Sequence, residues 1–206
     1  MRIIAGERRG HKFDGPKAGV TRPTTELVRE SLFNILREAV DGRIVVDLFA
    51  GTGAIGLEGL SRGASQAIFV EKNRENVGLI HRNLELLRYE DRARVQLGDA
   101  YRWARTYEPV EGEPVVVVLD PPYRDYETRA KKIHMLVSEL MAKLPSGSMI
   151  AVESGLTLNE GLLPEFEAWD VRRYGGTQVG FLTVGEGVGG IEAEAADAAG
   201  PSDADS

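Results

Sequence analysis

The chain has 206 residues, with 25 Lys+Arg against 32 Asp+Glu for a formal charge of -7, and no cysteine. The missing thiols exclude disulfides, thiolate metal sites and cysteine nucleophiles together, and His11, His81 and His134 fall outside any paired ligand spacing, so no protein metal site is expected. Taken whole, the acidic total argues against a nucleic-acid partner.

Residues 1–23 are broken by Gly6, Gly10, Gly15, Pro16, Gly19 and Pro23, which predicts a hairpin-like extension. Residues 1–29 hold seven bases (Arg2, Arg8, Arg9, Lys12, Lys17, Arg22, Arg29) against Glu7, Asp14 and Glu26, so this end is locally basic. Thr24 or Thr25 supplies an N-cap for a helix on which Val28, Leu32, Ile35, Leu36 and Ala39 repeat at helical spacing. A regular alternation follows. A strand over 44–49 leads through glycines to a helix over 54–62 stopped at Gly63. A strand over 67–71 leads to a helix with Val77, Ile80, Leu84 and Leu87 on one face, and a strand over 94–97 to a short helix near 100–106. Residues 115–119 are four valines and a leucine, as expected of a strand covered on both faces. The helix after it carries Ile133, Leu136, Val137, Leu140 and Leu144. A strand over 149–152 follows, and strands over 169–174 and 179–184 flank Gly175-Gly176 as a hairpin.

Seven strands, five alternating with helices, predict an α/β fold with an open, mainly parallel sheet and ligands at the carboxyl ends of its strands. The domain is expected over 24–184. Residues 185–206 are expected to be a disordered tail, carrying six acids, no base, and only Val188 and Ile191 as large aliphatics. Without those acids the chain holds 25 bases against 26 acids, so its charge is bipolar and the basic end can meet a polyanion. No apolar run approaches the roughly 18–20 residues of a membrane span, and Met1-Arg-Ile-Ile has no signal-peptide core, so a cytoplasmic protein with no membrane partner is expected.

Two segments carry chemistry. In Asp47-Leu-Phe-Ala-Gly51-Thr-Gly53-Ala-Ile-Gly56 a glycine loop joins a strand to a helix, and Gly51, Thr52, Gly53 and Gly56 match the nucleotide-binding pattern. Glu71 follows at the end of the next strand, where a carboxylate can accept from both hydroxyls of a ribose. Asp47 would repel a dinucleotide pyrophosphate and suits a ligand bearing an ammonium, as S-adenosylmethionine does. Asp99, in Leu97-Gly-Asp-Ala100, either holds an adenine amino group or caps the next helix.

The second segment is Asp120-Pro121-Pro122-Tyr123, directly after the valine strand. An exocyclic amine of a nucleobase is a poor nucleophile because its lone pair is delocalised into the ring. The Asp120 carboxylate and the Pro121 carbonyl can accept its two N–H groups and favour a pyramidal nitrogen. Proline lacks an N–H and fixes φ, which holds that carbonyl. Tyr123 offers a face for base stacking, worth about 1–3 kcal/mol. Methylation at pyrimidine C5 proceeds through a cysteine adduct, which this chain cannot form. Amine methylation needs only positioning and charge stabilisation.

These residues resemble the class I, S-adenosylmethionine-dependent methyltransferases, with a Rossmann-like seven-stranded sheet and helices on both faces. Within that class they resemble the bacterial enzymes that methylate N2 of a guanine in 16S rRNA. The resemblance spans about residues 1–184. It rests on Met1-Arg-Ile-Ile-Ala-Gly6 with Arg9-Gly10, Arg22-Pro-Thr-Thr25 with Val28-Arg-Glu30, Asp47-Leu-Phe-Ala-Gly-Thr-Gly53, Phe69-Val-Glu-Lys72, Asp120-Pro-Pro-Tyr123 and Arg173-Tyr-Gly175. It implies a cofactor site of Asp47, Phe49, Gly51, Thr52, Gly53, Glu71, Lys72, Asp99 and Ala100, and a catalytic segment of Asp120, Pro121, Pro122 and Tyr123. It implies 16S rRNA as the partner, in an assembled or assembling small subunit, and a monomeric enzyme. Arg8, Arg9, Lys12, Arg22, Thr24 and Arg29 are then expected to contact RNA. The acidic C-terminus departs from the family pattern. Three alternatives stand beside this reading, one of them a catalytically silent RNA-binding module on this fold, against which the intact Asp120-Pro-Pro-Tyr123 counts. A DNA adenine or cytosine amino methyltransferase shares Asp120-Pro-Pro-Tyr123 but usually needs a target-recognition domain. An NAD-dependent oxidoreductase would use the glycine loop.

Overall fold

The computed structural model describes residues 1–15 and 26–185. The proposed N-cap at Thr24 or Thr25, together with Lys17 and Arg22, and the acidic tail from Glu186 onward, lie outside the described residues.

Strands β1 (Ile44–Leu48), β2 (Gln66–Glu71), β3 (Ala93–Leu97), β4 (Val115–Leu119), β5 (Met149–Ser154), β6 (Asp170–Tyr174) and β7 (Thr177–Thr183) form one sheet in the order β3-β2-β1-β4-β5-β7-β6. The first five are parallel, and β7 runs antiparallel to both β5 and β6. Chain order reverses between β1 and β4, which opens a crevice at the carboxyl ends of those strands.

The valine run of β4 shows why both faces are covered. Val116 and Val118 join Val28, Leu32, Phe33 and Leu36 of helix α1 (Glu26–Leu36), whereas Val115, Val117 and Leu119 join Ile133, Leu136, Val137 and Leu140 of helix α6 (Ala130–Lys143). Alternation along the strand sends successive side chains to opposite layers. Each buried aliphatic contributes about 1.5–3 kcal/mol, so a polar substitution anywhere in β4 exposes the fold to loss on one face or the other. Helices α2 (Ala54–Ser61) and α3 (Arg74–Leu87) cover Ala67 and Phe69 on the α1 side, and helix α4 (Ala100–Thr106) lies on the α6 side.

Two details differ from the expected elements. On α3 the buried face is Leu79, Ile80, Asn83, Leu84 and Leu87, and Val77 is half-buried. Asn83 is tolerated inside because its amide is fully used: Oδ1 accepts from Asp14 N at 2.8 Å, and Nδ2 donates to Asp14 O and Thr52 O at 3.1 Å each. The single helix expected after β4 is two, α5 (Tyr123–Thr128) and α6, separated by Arg129 at φ -136°. The break lets Tyr126 reach the β5 backbone while α6 turns its aliphatic face to the sheet.

Among the described residues, the N-terminal extension has one antiparallel bridge, Arg2 with Lys12, and it is docked on the domain. Ile3 and Phe13 bury against Leu57 and Leu60. The buried Glu58 carboxylate of α2 accepts from Ile4 N (2.9 Å), Ala5 N (3.0 Å) and Arg62 Nε (2.8 Å), and pairs with Arg29 at 3.6 Å. Among the described residues, no helix is long and apolar enough to cross a membrane.

Candidate active site

A cavity of about 530 Å³ opens at the carboxyl ends of β1, β2, β4 and β5, a size typical of small-molecule sites. Its floor is set by the glycine loop. Phe49 leaves β1 with a positive φ of 65°, and Gly53, at φ 79°, is the residue before α2. A Cβ at Gly56 would sit 2.2 Å from Phe69 Cε1, so the first turn of α2 approaches β2 only because that position is glycine. Asp47, Phe49, Gly51, Thr52, Glu71, Lys72, Asp99 and Ala100 all line the cavity. Gly53 is not among the lining residues; it shapes the turn from beneath, where a Cβ would meet Ile80 and Phe69 at 3.2 Å.

Backbone N–H groups fix the two inner acids. Asp47 Oδ2 accepts from Gly56 N at 2.9 Å. Glu71 accepts from Gly51 N at 2.8 Å through Oε2 and from Asn73 N at 2.7 Å through Oε1. The loop and the acid at the end of β2 are thus one unit, which orients the carboxylate across the cavity. Burial pushes the Asp47 carboxyl well above the usual range, and the nearby charges of Asp120 and Glu71 push it further, against the Gly56 N–H. Such a site favours a cation. Asp99 lines the cavity and its side chain caps α4 by accepting from Arg102 N at 3.0 Å, the capping role expected of it.

The catalytic candidates fill the other half. Asp120, Pro121, Pro122 and Tyr123 line the same cavity, with Asp120 tied to β1 through its N–H to Leu48 O at 3.4 Å. Pro121 is buried and Pro122 stands just before α5. Tyr123 is 56% exposed, an open aromatic face at the mouth. Its ring passes Gly155, where a Cβ would lie 3.6 Å from Cδ2.

Three further cavity residues belong to no motif and were not expected from the sequence. Tyr101 donates to Asp125 Oδ2 at 2.9 Å and meets Phe49 edge-to-face with centroids 5.3 Å apart. Tyr126 donates to the Glu153 carbonyl. Glu153 is nine-tenths buried at the end of β5. Burial raises both tyrosine hydroxyls, so they remain protonated donors at neutral pH. The signal available for Glu153 was its place: it follows Val152 as Asp120 follows Leu119, an acid ending a buried strand.

The basic residues do not behave alike. Arg29 departs from its expected role on RNA: it is fully buried, donating through a terminal guanidinium nitrogen to Arg2 O at 2.7 Å and paired with Glu58, so it cannot meet a phosphate. Arg8 is half-buried over the Tyr89 ring at 5.8 Å, where burial raises the tyrosine hydroxyl to about 12. Arg9 and Lys12 are exposed. Arg22 and Thr24 lie outside the described residues.

Residues 1–183 match the family described as Conserved hypothetical protein 95. YlbH of Bacillus subtilis, provisionally assigned as an rRNA methyltransferase, is 34% identical over 151 residues, which is 73% of this chain and 81% of that protein. Ribosomal RNA small subunit methyltransferase D of Escherichia coli is 39% identical over 125 residues, covering 60% of this chain and 61% of that protein. The solved structure of Escherichia coli yhhF, provisionally assigned as a methyltransferase, superposes with a TM-score of 0.69 at 30% identity, covering 88% of this chain and 96% of that one. With the match running from the docked hairpin to the last strand, the chain belongs to the Conserved hypothetical protein 95 family.

Proposed function

We propose that the protein transfers a methyl group from S-adenosylmethionine to the exocyclic N2 of a guanine in small-subunit (16S) rRNA, acting as a cytoplasmic monomer on an assembled or assembling subunit. The observation that carries this reading is one cavity with two halves. One half offers Asp47 and Glu71 at the glycine loop, and the other offers Asp120, the Pro121 carbonyl and an exposed tyrosine. The relatives named as rRNA methyltransferases support the choice of substrate.

The donor set fits S-adenosylmethionine. Asp47 and Glu71 suit an ammonium and a ribose, Phe49 and Tyr101 offer aromatic surface, and Asp99 reaches an adenine amino group. The bound cofactor supplies a methyl group on a sulfonium sulfur and leaves as S-adenosylhomocysteine. Asp120 and the Pro121 carbonyl accept the two N2–H groups and hold the nitrogen lone pair toward the methyl group. As the N–C bond forms and the S–C bond breaks, the carboxylate stabilises charge developing on the amine, and one N2 proton leaves through Asp120 to solvent. Tyr123 stacks the flipped base. Arg8, Arg9 and Lys12 hold RNA phosphates along the hairpin, and Arg22 and Thr24 are assigned to RNA contact on the family resemblance alone.

Asp120→Ala removes one amine acceptor without touching the glycine loop. Transfer should fall by about 10³-fold, in line with the loss of a transition-state partner, while S-adenosylhomocysteine still raises the melting temperature. Turnover near that of the unaltered protein would contradict the role of Asp120.

A further inference from the structure

The carboxyl ends of four neighbouring strands carry four acids in a row. Sheet order places β2, β1, β4 and β5 side by side, and they end in or lead to Glu71, Asp47, Asp120 and Glu153. Leu119 pairs with Val152 in register, so Asp120 and Glu153 occupy the next level of adjacent parallel strands, which lie about 4.8 Å apart. Within β5, Met149 and Ala151 face the α1 layer, so alternation directs Glu153 to that face, the same one on which Val116 and Val118 precede Asp120. Asp120 and Glu153 are both among the residues that line the one cavity. Glu71 and Asp47 belong to its cofactor half. Glu153 lies at the far end, beyond Asp120, two residues before Gly155, which the Tyr123 ring approaches.

We propose that Glu153 reads the Watson–Crick edge of the target base by accepting the N1–H of guanine while Asp120 and Pro121 hold N2, making it the residue that selects guanine over other purines. This rests on the guanine-N2 reading above. Guanine presents N1–H and N2–H donors side by side, and two carboxylates one strand apart present acceptors to match. Adenine and 2-aminopurine carry a lone pair at N1, which meets a carboxylate lone pair and is rejected. The contact also strengthens during reaction, because positive charge developing at N2 spreads to N1–H. The loss of Glu153 therefore lowers kcat as well as raising KM. Tyr126, donating to the Glu153 carbonyl, and Gly155, leaving room for the Tyr123 ring, position this end of β5.

The test uses the full chain and small-subunit rRNA ligated around a synthetic segment, offered free and reconstituted into subunits. The mapped target is either guanine or 2-aminopurine, which keeps the N2 amine but lacks N1–H. The unaltered protein should prefer guanine by roughly 10²-fold or more, as expected where a buried acceptor is left facing a lone pair. Glu153→Gln can donate its amide N–H to N1, so its preference should narrow at least about tenfold, with a faster rate on 2-aminopurine than the unaltered protein achieves. Glu153→Ala should be slow on both. Melting with S-adenosylhomocysteine confirms that each variant is folded. A preference unchanged in Glu153→Gln would overturn the proposal. Failure of the unaltered protein to methylate the guanine substrate would instead overturn the underlying reading.

Discussion

At the scale of single residues, the site is organised around carboxylates that are costly to hold. Asp47 is buried, and its proton affinity in the folded protein exceeds that of an ordinary aspartate because of burial first and of Asp120 and Glu71 next. Its contribution to folding is therefore fully present below the ordinary carboxylate range and is lost as pH rises through the raised value. Asp47→Asn keeps an acceptor for the Gly56 N–H and removes that loss. In the absence of ligand the variant should melt a few degrees higher at neutral pH, with a flatter pH profile, and should gain less from S-adenosylhomocysteine. A lower melting temperature at neutral pH, together with a full ligand shift, would make Asp47 a structural acid and not a ligand-facing one.

At the scale of elements, the buried Glu58 joins three segments. It receives two backbone N–H groups from the hairpin, the Arg62 guanidinium from its own helix turn, and Arg29 from α1. Burial lowers the Arg29 pKa, and Glu58 opposes that shift, so each ion depends on the other. Glu58→Ala strands Arg29 and should cost about 3–5 kcal/mol, measured as a lower urea midpoint. Because Met1 of the hairpin lines the cavity, cofactor affinity should fall too. Loss of stability without any change in affinity would separate the hairpin from the site. This hub was not legible in the sequence, where Glu58 is one acid within an apolar helix and Arg29 one of seven bases. Strands and their order of appearance were legible, because the run at 115–119 and the Gly175-Gly176 hairpin carry local signals. The placement of β7 between β5 and β6 depends on pairing across the sheet, which local periodicity does not encode. The same limit hid Glu153: its significance comes from the neighbour at Asp120, 33 positions away in sequence but adjacent in the sheet.

At the scale of the whole molecule, a net charge of -7 is a poor guide to partners. Six acids stand after residue 185, and the exposed Arg9 and Lys12 sit on a hairpin docked beside the cavity. Screening over roughly 8 Å means that a phosphate responds to the charges next to it. Arg9→Ala with Lys12→Ala should weaken rRNA binding and reduce the slope of log affinity against log salt by about 0.7–0.9 for each phosphate no longer neutralised, leaving cofactor-induced stabilisation intact. An unchanged slope would remove the hairpin from the RNA path. Guanine-N2 methylation of small-subunit rRNA, the central claim, is tested most directly by labelling. Small subunits and their extracted rRNA are incubated with tritiated S-adenosylmethionine, the label is mapped, and the nucleoside is identified by mass and chromatography. The predicted product is N2-methylguanosine at one position of the small-subunit rRNA; label in N6-methyladenosine, in DNA, or in no nucleic acid would contradict the claim.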